Sequence, residues 1–301
     1  MMEWAKKTLE KVELSRKERL HQPAPIPTET EAESILNNFH PDYSGKERTV
    51  AVGPNAGNQK FPLELADLLE ADSFLPTSHT TVPDIETDVL ILGGGGAGAS
   101  AALALEESGF NIHLATKLRL GDSNTVMAEG GIQAALAAND SPRRHFADAM
   151  VGGHGENETG LLRILCENGP KSISWLSQLG CLFDRNSDGT FRLRGGGGTS
   201  VSRILACRDY TGLEIMRVLK DAVRLSSTNI LEEHIAVELF DDGNSTITGA
   251  VLYDRKSTRL VNVSARAVIL ATGGSGQLRL QNFPTSNHVG ATGDGLVMAY
   301  R

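Results

Sequence analysis

The stretch DVLILGGGGAGASAALAL, residues 88–105, decides the fold of this chain. Its first five residues form a short apolar run with the length of a strand that is buried on both faces. The run stops at Gly93. Residues 97–108 then have the composition of a helix of small residues, with Gly109 as its cap. This order of strand, glycine turn and helix predicts the first βαβ unit of a doubly wound α/β domain.

The glycines of this turn, Gly93, Gly95 and Gly98, fit the spacing GxGxxG. The first permits a tight turn, the second lets backbone N–H groups approach a pyrophosphate, and the third lets the helix pack closely on the strand. The helix N-terminus favours negative charge through its unpaired N–H groups and its dipole. The spacing alone is a weak signal, but the strand before it and the helix after it supply the required context. We therefore predict a dinucleotide site.

These residues leave the identity of the dinucleotide open. An NAD site of this type has an acidic residue about twenty residues beyond the first glycine. Here the next predicted strand, residues 111–115, is followed by Thr116 and Lys117. The NAD signature is therefore incomplete.

Two later segments complete the predicted sheet. Residues 229–240 and 248–253 predict the strands of a hairpin that turns at 241–244. Residues 265–270 form a second fully apolar strand that ends in consecutive glycines, as is typical of the ligand-binding carboxyl edge of a parallel sheet. Helices are predicted over residues 213–225 and from Asp294 onwards.

Residues 1–84 carry no pattern that indicates chemistry. They predict a mostly helical extension, with helices over residues 4–20 and 29–39, and residues 85–301 then form the dinucleotide-binding domain. The helix over 29–39 has Thr28 or Thr30 as its cap.

Composition excludes several classes of function. A net charge of −8 without a basic face argues against a nucleic-acid partner. No apolar run approaches the roughly 20 residues of a membrane span, and the charged N-terminus lacks a signal-peptide core, so we expect a cytoplasmic chain without direct membrane insertion. The three cysteines, Cys166, Cys181 and Cys207, are too widely spaced for an iron–sulfur motif and are expected to be buried structural thiols; no metal site is predicted.

Five blocks of sequence, in this order, resemble the flavoprotein subunits of succinate dehydrogenase and fumarate reductase and their relative L-aspartate oxidase. The blocks are DVLILGGGGAGASAA, TKLRLGDSNTVMAEGGIQAAL, CRDYTG, AVILATGG and ATGDGLVMAYR, and the match that they carry extends over about residues 86–301. The resemblance implies a Rossmann-like FAD-binding domain with a parallel sheet and a β-hairpin insertion. This domain is incomplete relative to the family.

The resemblance also implies which residues bind FAD. The glycine turn holds the pyrophosphate, Thr116 and Lys117 take the place of the Ser-Lys pair that these enzymes use instead of the ribose acid, and residues 124–131 line the flavin. Ala236 meets the adenine through its backbone. The full implied set is Gly93, Gly95, Gly96, Ala97, Gly98, Thr116, Lys117, Asn124, Thr125, Ala128, Glu129, Gly130, Gly131, Asp209, Ala236, Ala271, Thr272, Gly273, Gly274 and Asp294.

The sequence departs from the family at two points. In the membrane-bound enzymes the histidine of a Ser-His-Thr triplet is bonded covalently to the flavin, whereas the triplet here contains Asn124. An amide cannot form that bond, so we expect non-covalent FAD. In the family, the TGDG helix is followed by a capping domain that bears the catalytic groups. These 301 residues have no counterpart of it, so we nominate no catalytic residue and expect this chain alone to be inactive.

The function implied by the resemblance is hydride transfer between FAD and a four-carbon dicarboxylate. Electrons are then exchanged with a partner, an iron–sulfur or other electron-transfer subunit, which would also place the chain at the inner face of the membrane. Two alternatives stay open: an L-aspartate oxidase-like enzyme, and a non-catalytic FAD-binding subunit completed by a second polypeptide. The sequence also leaves open whether Arg203 and Arg208, beside Asp209, form a structural ion pair or contact substrate.

Overall fold

The computed structural model describes residues 3–21, 27–39, 46–73, 75, 82–244, 246–278 and 285–301. By its internal contacts the chain divides into two compact units, Met1–Lys46 and Glu47–Arg301. The domain boundary predicted after residue 84 stays a prediction.

The first unit contains three helices, α1 (Glu3–Leu14), α2 (Arg16–His21) and α3 (Glu29–Phe39). The helix predicted over residues 4–20 is thus two helices separated at Ser15. Helix α3 begins with a capping box, because Thr28 Oγ1 accepts the Glu31 N–H at 3.3 Å while the Glu31 carboxylate accepts the Thr28 N–H at 2.9 Å. Thr28, rather than Thr30, is therefore the cap.

The second unit begins with a small hairpin and a helix. Strands β1 (Glu47–Thr49) and β2 (Lys60–Pro62) pair antiparallel, and α4 (Leu63–Leu69) follows directly. Val50, Ala66 and Leu69 are buried there and pack against Val297 and Tyr300 near the end of the chain. We call residues 47–71 the N-terminal brace.

The rest of the unit is built on one six-stranded sheet. In chain order its further elements are β3 (Ile85–Leu92), α5 (Gly96–Ala104), β4 (Ile112–Thr116), β5 (Ile132–Gln133), α6 (Pro142–Gly152), α7 (Thr159–Gln178), β6 (Ile204–Leu205), α8 (Thr211–Leu225), β7 (Asn229–Glu232), β8 (His234–Asp241), β9 (Ile247–Asp254), β10 (Arg259–Leu270) and α9 (Asp294–Tyr300). The sheet order is β7-β4-β3-β10-β9-β8, and the short strands β5 and β6 pair separately.

Strand β10 joins the parallel part of this sheet to the hairpin. Its residues 259–264 pair antiparallel with β9, and its residues 263–270 pair parallel with β3. Strands β3, β4 and β7 are also parallel to one another, and β8 and β9 form an antiparallel hairpin. The predicted α/β fold with a parallel sheet and a β-hairpin insertion is confirmed.

The strand predicted over residues 229–240 is in fact two strands. Glu233 has a φ of 61°, a left-handed conformation that interrupts the strand. Before it, β7 pairs with β4, and after it, β8 pairs with β9. The chain therefore passes from the parallel strands to the hairpin at Glu233.

Helices and the hairpin cover the two faces of the parallel strands. Ile91 and Leu114 belong to a core that also contains Ala99 of α5 and Leu219 of α8. Residues of the opposite face, such as Leu90, pack in a separate core with the hairpin. Among the described residues, no helix combines the length and apolarity needed to cross a bilayer. All three cysteines are buried as predicted, and burial raises the pKa of the Cys181 thiol to about 12.

Candidate FAD site

The turn after β3 leaves no room for side chains at two of its glycines. Gly93 has a φ of 119°, and a Cβ there would lie 2.2 Å from the Ala271 carbonyl oxygen. A Cβ on Gly98 would lie 1.8 Å from the Gly93 carbonyl oxygen. Strand and helix are thus in the close contact predicted for this motif, which fixes where α5 starts.

The N-terminus of α5 opens toward residues 123–125. Its N-cap is Gly95, which offers no side chain for capping, and the first helical hydrogen bond runs from the Ala99 N–H to the Gly95 carbonyl at 2.9 Å. The Gly96 N–H donates to Thr125 Oγ1 at 3.2 Å. A Cβ on Gly95 would lie 3.1 Å from Ser123 Cβ. A side chain at Gly95 would therefore fill the gap in front of the helix, where the first N–H groups favour an anionic ligand.

A cavity of about 410 Å³ begins at this gap and follows the carboxyl ends of β3, β4 and β10. This edge is where open α/β sheets bind ligands. Most of the predicted FAD-binding residues line it, namely Gly93, Gly95, Gly96, Ala97, Thr116, Lys117, Asn124, Thr125, Ala236, Ala271, Thr272, Gly273, Gly274 and Asp294. Their arrangement, a cavity with an open helix N-terminus on its wall, fits the FAD that the resemblance implies.

The remaining predicted residues lie elsewhere. Gly98 is buried behind the turn, at the contact between strand and helix. Exposed positions outside the cavity lining are occupied by Ala128, Glu129, Gly130, Gly131 and Asp209. Their assignment to the flavin and its surroundings stays a prediction.

The loop of residues 128–131, which we call the flavin loop, is held by the start of α8. The Gly212 N–H donates to the Ala128 carbonyl at 2.7 Å, and Thr211 Oγ1 donates to the Glu129 carbonyl at 3.2 Å. A Cβ on Gly212 would lie 1.8 Å from the Thr125 carbonyl oxygen. Sequence analysis did not single out Gly212; the available signal was a glycine at the start of an otherwise strong helix, where it is costly.

An ion pair connects the end of β4 to the start of α9. Lys117 Nζ lies 2.6 Å from Asp294 Oδ2 and 2.5 Å from Thr292 Oγ1. Both charged side chains are about a quarter to a third exposed, at 26% and 31%, so the pair adds little to stability. Its main effect is to place a cation and a carboxylate together on the cavity wall.

Two histidines of the cavity wall were not found by sequence analysis, because a lone histidine has no diagnostic spacing. His234 Nδ1 lies 2.8 Å from the Glu232 carbonyl oxygen, which can only accept, so Nδ1 carries the hydrogen and Nε2 is an acceptor in the neutral ring. His288 has the opposite arrangement. Its Nδ1 accepts the Gly290 N–H at 3.1 Å, so its Nε2 carries the hydrogen.

Arg203 lies in a buried ion cluster away from the cavity. Its side chain has no exposed surface and contacts Asp140 at 2.8 Å and Asp148 at 2.6 Å. The Ser200 N–H and the Arg203 guanidinium lower the pKa of Asp148 to about 2. Arg203 therefore has a structural role, since both of its carboxylate partners belong to the scaffold around α6. Arg208 is exposed, and its N–H donates to the Asp184 carboxylate.

Comparison with known proteins agrees with this geometry. The family model described as FAD binding domain matches residues 88–301. An uncharacterised FAD-dependent oxidoreductase of Methanocaldococcus jannaschii is 42% identical over 72% of this chain and 39% of its own length. The L-aspartate oxidase of Streptomyces coelicolor is 37% identical over 74% of this chain and 39% of its own length.

A solved structure of the E. coli quinol fumarate reductase matches with a TM-score of 0.68 and 31% identity, over 72% of this chain and 37% of the other. The chain thus spans less than two fifths of the length of these relatives. It belongs to the FAD-binding-domain family of oxidoreductases that includes the fumarate reductase and succinate dehydrogenase flavoproteins and the L-aspartate oxidases, and FAD is the cofactor of this family.

Proposed function

We propose that this chain forms the FAD-binding part of an oxidoreductase that transfers a hydride between the flavin and the C2–C3 bond of a four-carbon dicarboxylate. The observation that carries the proposal is the cavity itself. It combines the open N-terminus of α5, the ends of three parallel strands and the residues of the Ser123 to Thr125 triplet in one continuous wall. The relatives that share this part of the chain include a fumarate reductase and an L-aspartate oxidase.

Each part of the wall has a separate task in this proposal. When FAD is bound, its flavin supplies the hydride chemistry. The first N–H groups of α5 would bind the diphosphate, Thr125 would line the flavin, and Lys117 with Asp294 would hold the ribose hydroxyls. Ala236 offers its backbone to the adenine. These contacts orient the cofactor, and orientation is the principal contribution that a cofactor-binding scaffold makes to the rate.

Non-covalent attachment of FAD is part of the proposal. Asn124 occupies the place of the family's covalent histidine, and its Oδ1 accepts the His288 N–H at 2.9 Å. An amide in a hydrogen bond to the main chain offers no nucleophile to the flavin. Acid precipitation of the loaded protein is expected to leave all yellow colour in the supernatant. Colour retained in the pellet would contradict this.

A second candidate substrate is L-aspartate, which is also a four-carbon dicarboxylate. The observation in its favour is Asn124, because the resemblance implies non-covalent FAD for L-aspartate oxidase, as it does for soluble fumarate reductases. The two candidates differ in electron flow. A dicarboxylate reductase or dehydrogenase exchanges electrons with a partner, for which we propose an electron-transfer subunit at the inner face of the membrane, whereas an amino-acid oxidase passes them to a small acceptor.

The deciding experiment compares substrates. The 301-residue chain, loaded with FAD, is assayed alone and together with any polypeptide encoded downstream of it, for fumarate-dependent oxidation of reduced viologen and for aspartate-dependent flavin reduction. We expect no fumarate turnover by the 301 residues alone. Aspartate turnover alone would select the second candidate. FAD binding without turnover on either substrate would favour a non-catalytic subunit.

A further inference from the structure

We propose that His288 is a cofactor-binding residue that donates its Nε2–H to a diphosphate oxygen of FAD, and that Asn124 positions it. The proposal rests on the FAD site described above and adds to it a side chain outside the five blocks of sequence that carry the resemblance. Its basis is two hydrogen bonds, one that fixes the position of His288 on the cavity wall and one that fixes the tautomer of its imidazole.

The first hydrogen bond fixes the place of His288. Its backbone N–H donates to Asn124 Oδ1 at 2.9 Å, across 164 positions of sequence. Asn124 directly precedes Thr125, whose hydroxyl lies 3.2 Å from the Gly96 N–H at the start of α5. Both His288 and Asn124 line the cavity. The histidine backbone is therefore held at the 123–125 segment, whose residues Ser123 and Thr125 face the helix N-terminus, where an anionic group is favoured.

The second hydrogen bond fixes the tautomer of the imidazole. The Gly290 N–H donates to His288 Nδ1 at 3.1 Å, so Nδ1 must be the unprotonated nitrogen of the neutral ring. The hydrogen then resides on Nε2, and the ring presents a donor. A diphosphate offers only acceptors, and as the anionic part of FAD it is the strongest partner for this donor.

Gly290 also restricts the ring. A Cβ at Gly290 would lie 3.1 Å from His288 Nδ1 and 3.6 Å from Leu118 Cδ1. The imidazole thus packs close to Gly290, near the side chain of Leu118, which lies just after the end of β4. A half-buried ring held at its backbone and at Nδ1 has few conformations left, so a contact through Nε2 loses little entropy on binding.

The test measures dissociation constants of FAD and of ADP at pH 8. FAD is followed by flavin fluorescence and ADP by calorimetry. We expect His288→Ala to weaken both ligands about tenfold. His288→Gln, whose amide N–H can replace the Nε2–H, is expected to stay within about threefold of wild type. Asn124→Ala is expected to weaken FAD about tenfold alone and to add less than twofold in the His288→Ala background.

Several results would overturn the proposal. They are wild-type affinity in His288→Ala, a loss in His288→Gln as large as in His288→Ala, a loss confined to FAD with ADP unaffected, or full additivity of the Asn124 and His288 substitutions. Failure of the wild-type chain to bind FAD would instead reject the proposed function. The glutamine variant keeps the test valid if the alanine variant does not fold, because its shape and polarity resemble those of histidine.

Discussion

The glycine turn at residues 93–98 and the flavin loop at residues 128–131 were both assigned to FAD, but the chain builds them in different ways. The turn lies between a buried strand and its own helix, and its closest contact, between residue 98 and the Gly93 carbonyl, is made within the motif, although Gly93 also packs against the more distant Ala271. The flavin loop is exposed and is held by hydrogen bonds from the start of α8, more than eighty positions away for the pair Glu129 and Thr211. The contiguous motif therefore contains the closest contact that shapes it, whereas the loop depends on a distant helix.

Substitution of Gly98 tests the glycine turn and should cause the largest loss of stability. In Gly98→Ala the new Cβ overlaps the Gly93 carbonyl oxygen, which lies 1.8 Å from it. That carbonyl cannot move easily, because the Gly93 N–H is bonded to the Ala115 carbonyl of β4 at 2.8 Å. We expect a loss of about 3 kcal/mol in the free energy of unfolding, measured by urea denaturation.

Gly152→Ala is the matched control for that variant, since Gly152 is also helical and a Cβ there meets nothing within 4 Å. It should be neutral or stabilising by up to about 1 kcal/mol, as alanine is the better helix former. If both variants lowered the free energy of unfolding equally, the loss would come from replacing a helical glycine and not from the overlap with the Gly93 carbonyl.

Gly95→Val tests cofactor binding at the same turn. The valine side chain would occupy the gap toward Ser123, whose Cβ lies 3.1 Å from the Cβ position of residue 95. We expect FAD affinity to fall at least about 100-fold, or about 2.8 kcal/mol, by fluorescence titration, with the fold retained. Ser275→Ala, an exposed change in the later glycine cluster, should be mild. Wild-type affinity in Gly95→Val would place the diphosphate elsewhere.

Gly212→Ala compares the two regions directly. Its Cβ would lie 1.8 Å from the Thr125 carbonyl oxygen, the same distance as between the Cβ of Gly98→Ala and the Gly93 carbonyl oxygen. Here Thr125 is only partly buried, and its carbonyl accepts the N–H of Ala128 in the exposed flavin loop at 3.1 Å, so we expect the two to move together. We therefore expect a smaller loss of about 1–2 kcal/mol in unfolding free energy, together with weaker FAD binding. A loss equal to that of Gly98→Ala would mean that the flavin loop is as rigid as the glycine turn.

Thr125→Val should have the smallest effect. It preserves the shape of the side chain but removes the oxygen that accepts the Gly96 N–H at 3.2 Å. A single neutral hydrogen bond is worth about 1 kcal/mol, so we expect about a fivefold loss of FAD affinity and a similarly small loss of stability. An unchanged FAD dissociation constant would show that Thr125 Oγ1 contributes equally to the free and the FAD-bound states.

The same difference between local and distant contacts explains how far the sequence could predict the structure. The strand predicted over 88–92 and the helix over 97–108 appear as β3 and α5 with shifted ends, since their patterns are local. The interruption at Glu233 left no signal, because no residue type there requires a left-handed conformation. The contact between Asn124 and His288 could not be predicted either, because it depends on the tertiary path of two loops.

The N-terminal brace has a consequence for the cofactor although it lies outside the family match. Its buried residues pack on α9, where Phe61 meets Tyr300 edge to face with ring centroids 6.5 Å apart. The other end of α9 carries Asp294 on the cavity wall. Docking of the brace and binding of FAD are therefore two equilibria that share one helix, and thermodynamic linkage makes their influence mutual. If the contacts of the brace are weakened, we expect FAD to dissociate faster. Conversely, bound FAD should slow the amide hydrogen exchange of residues 47–71.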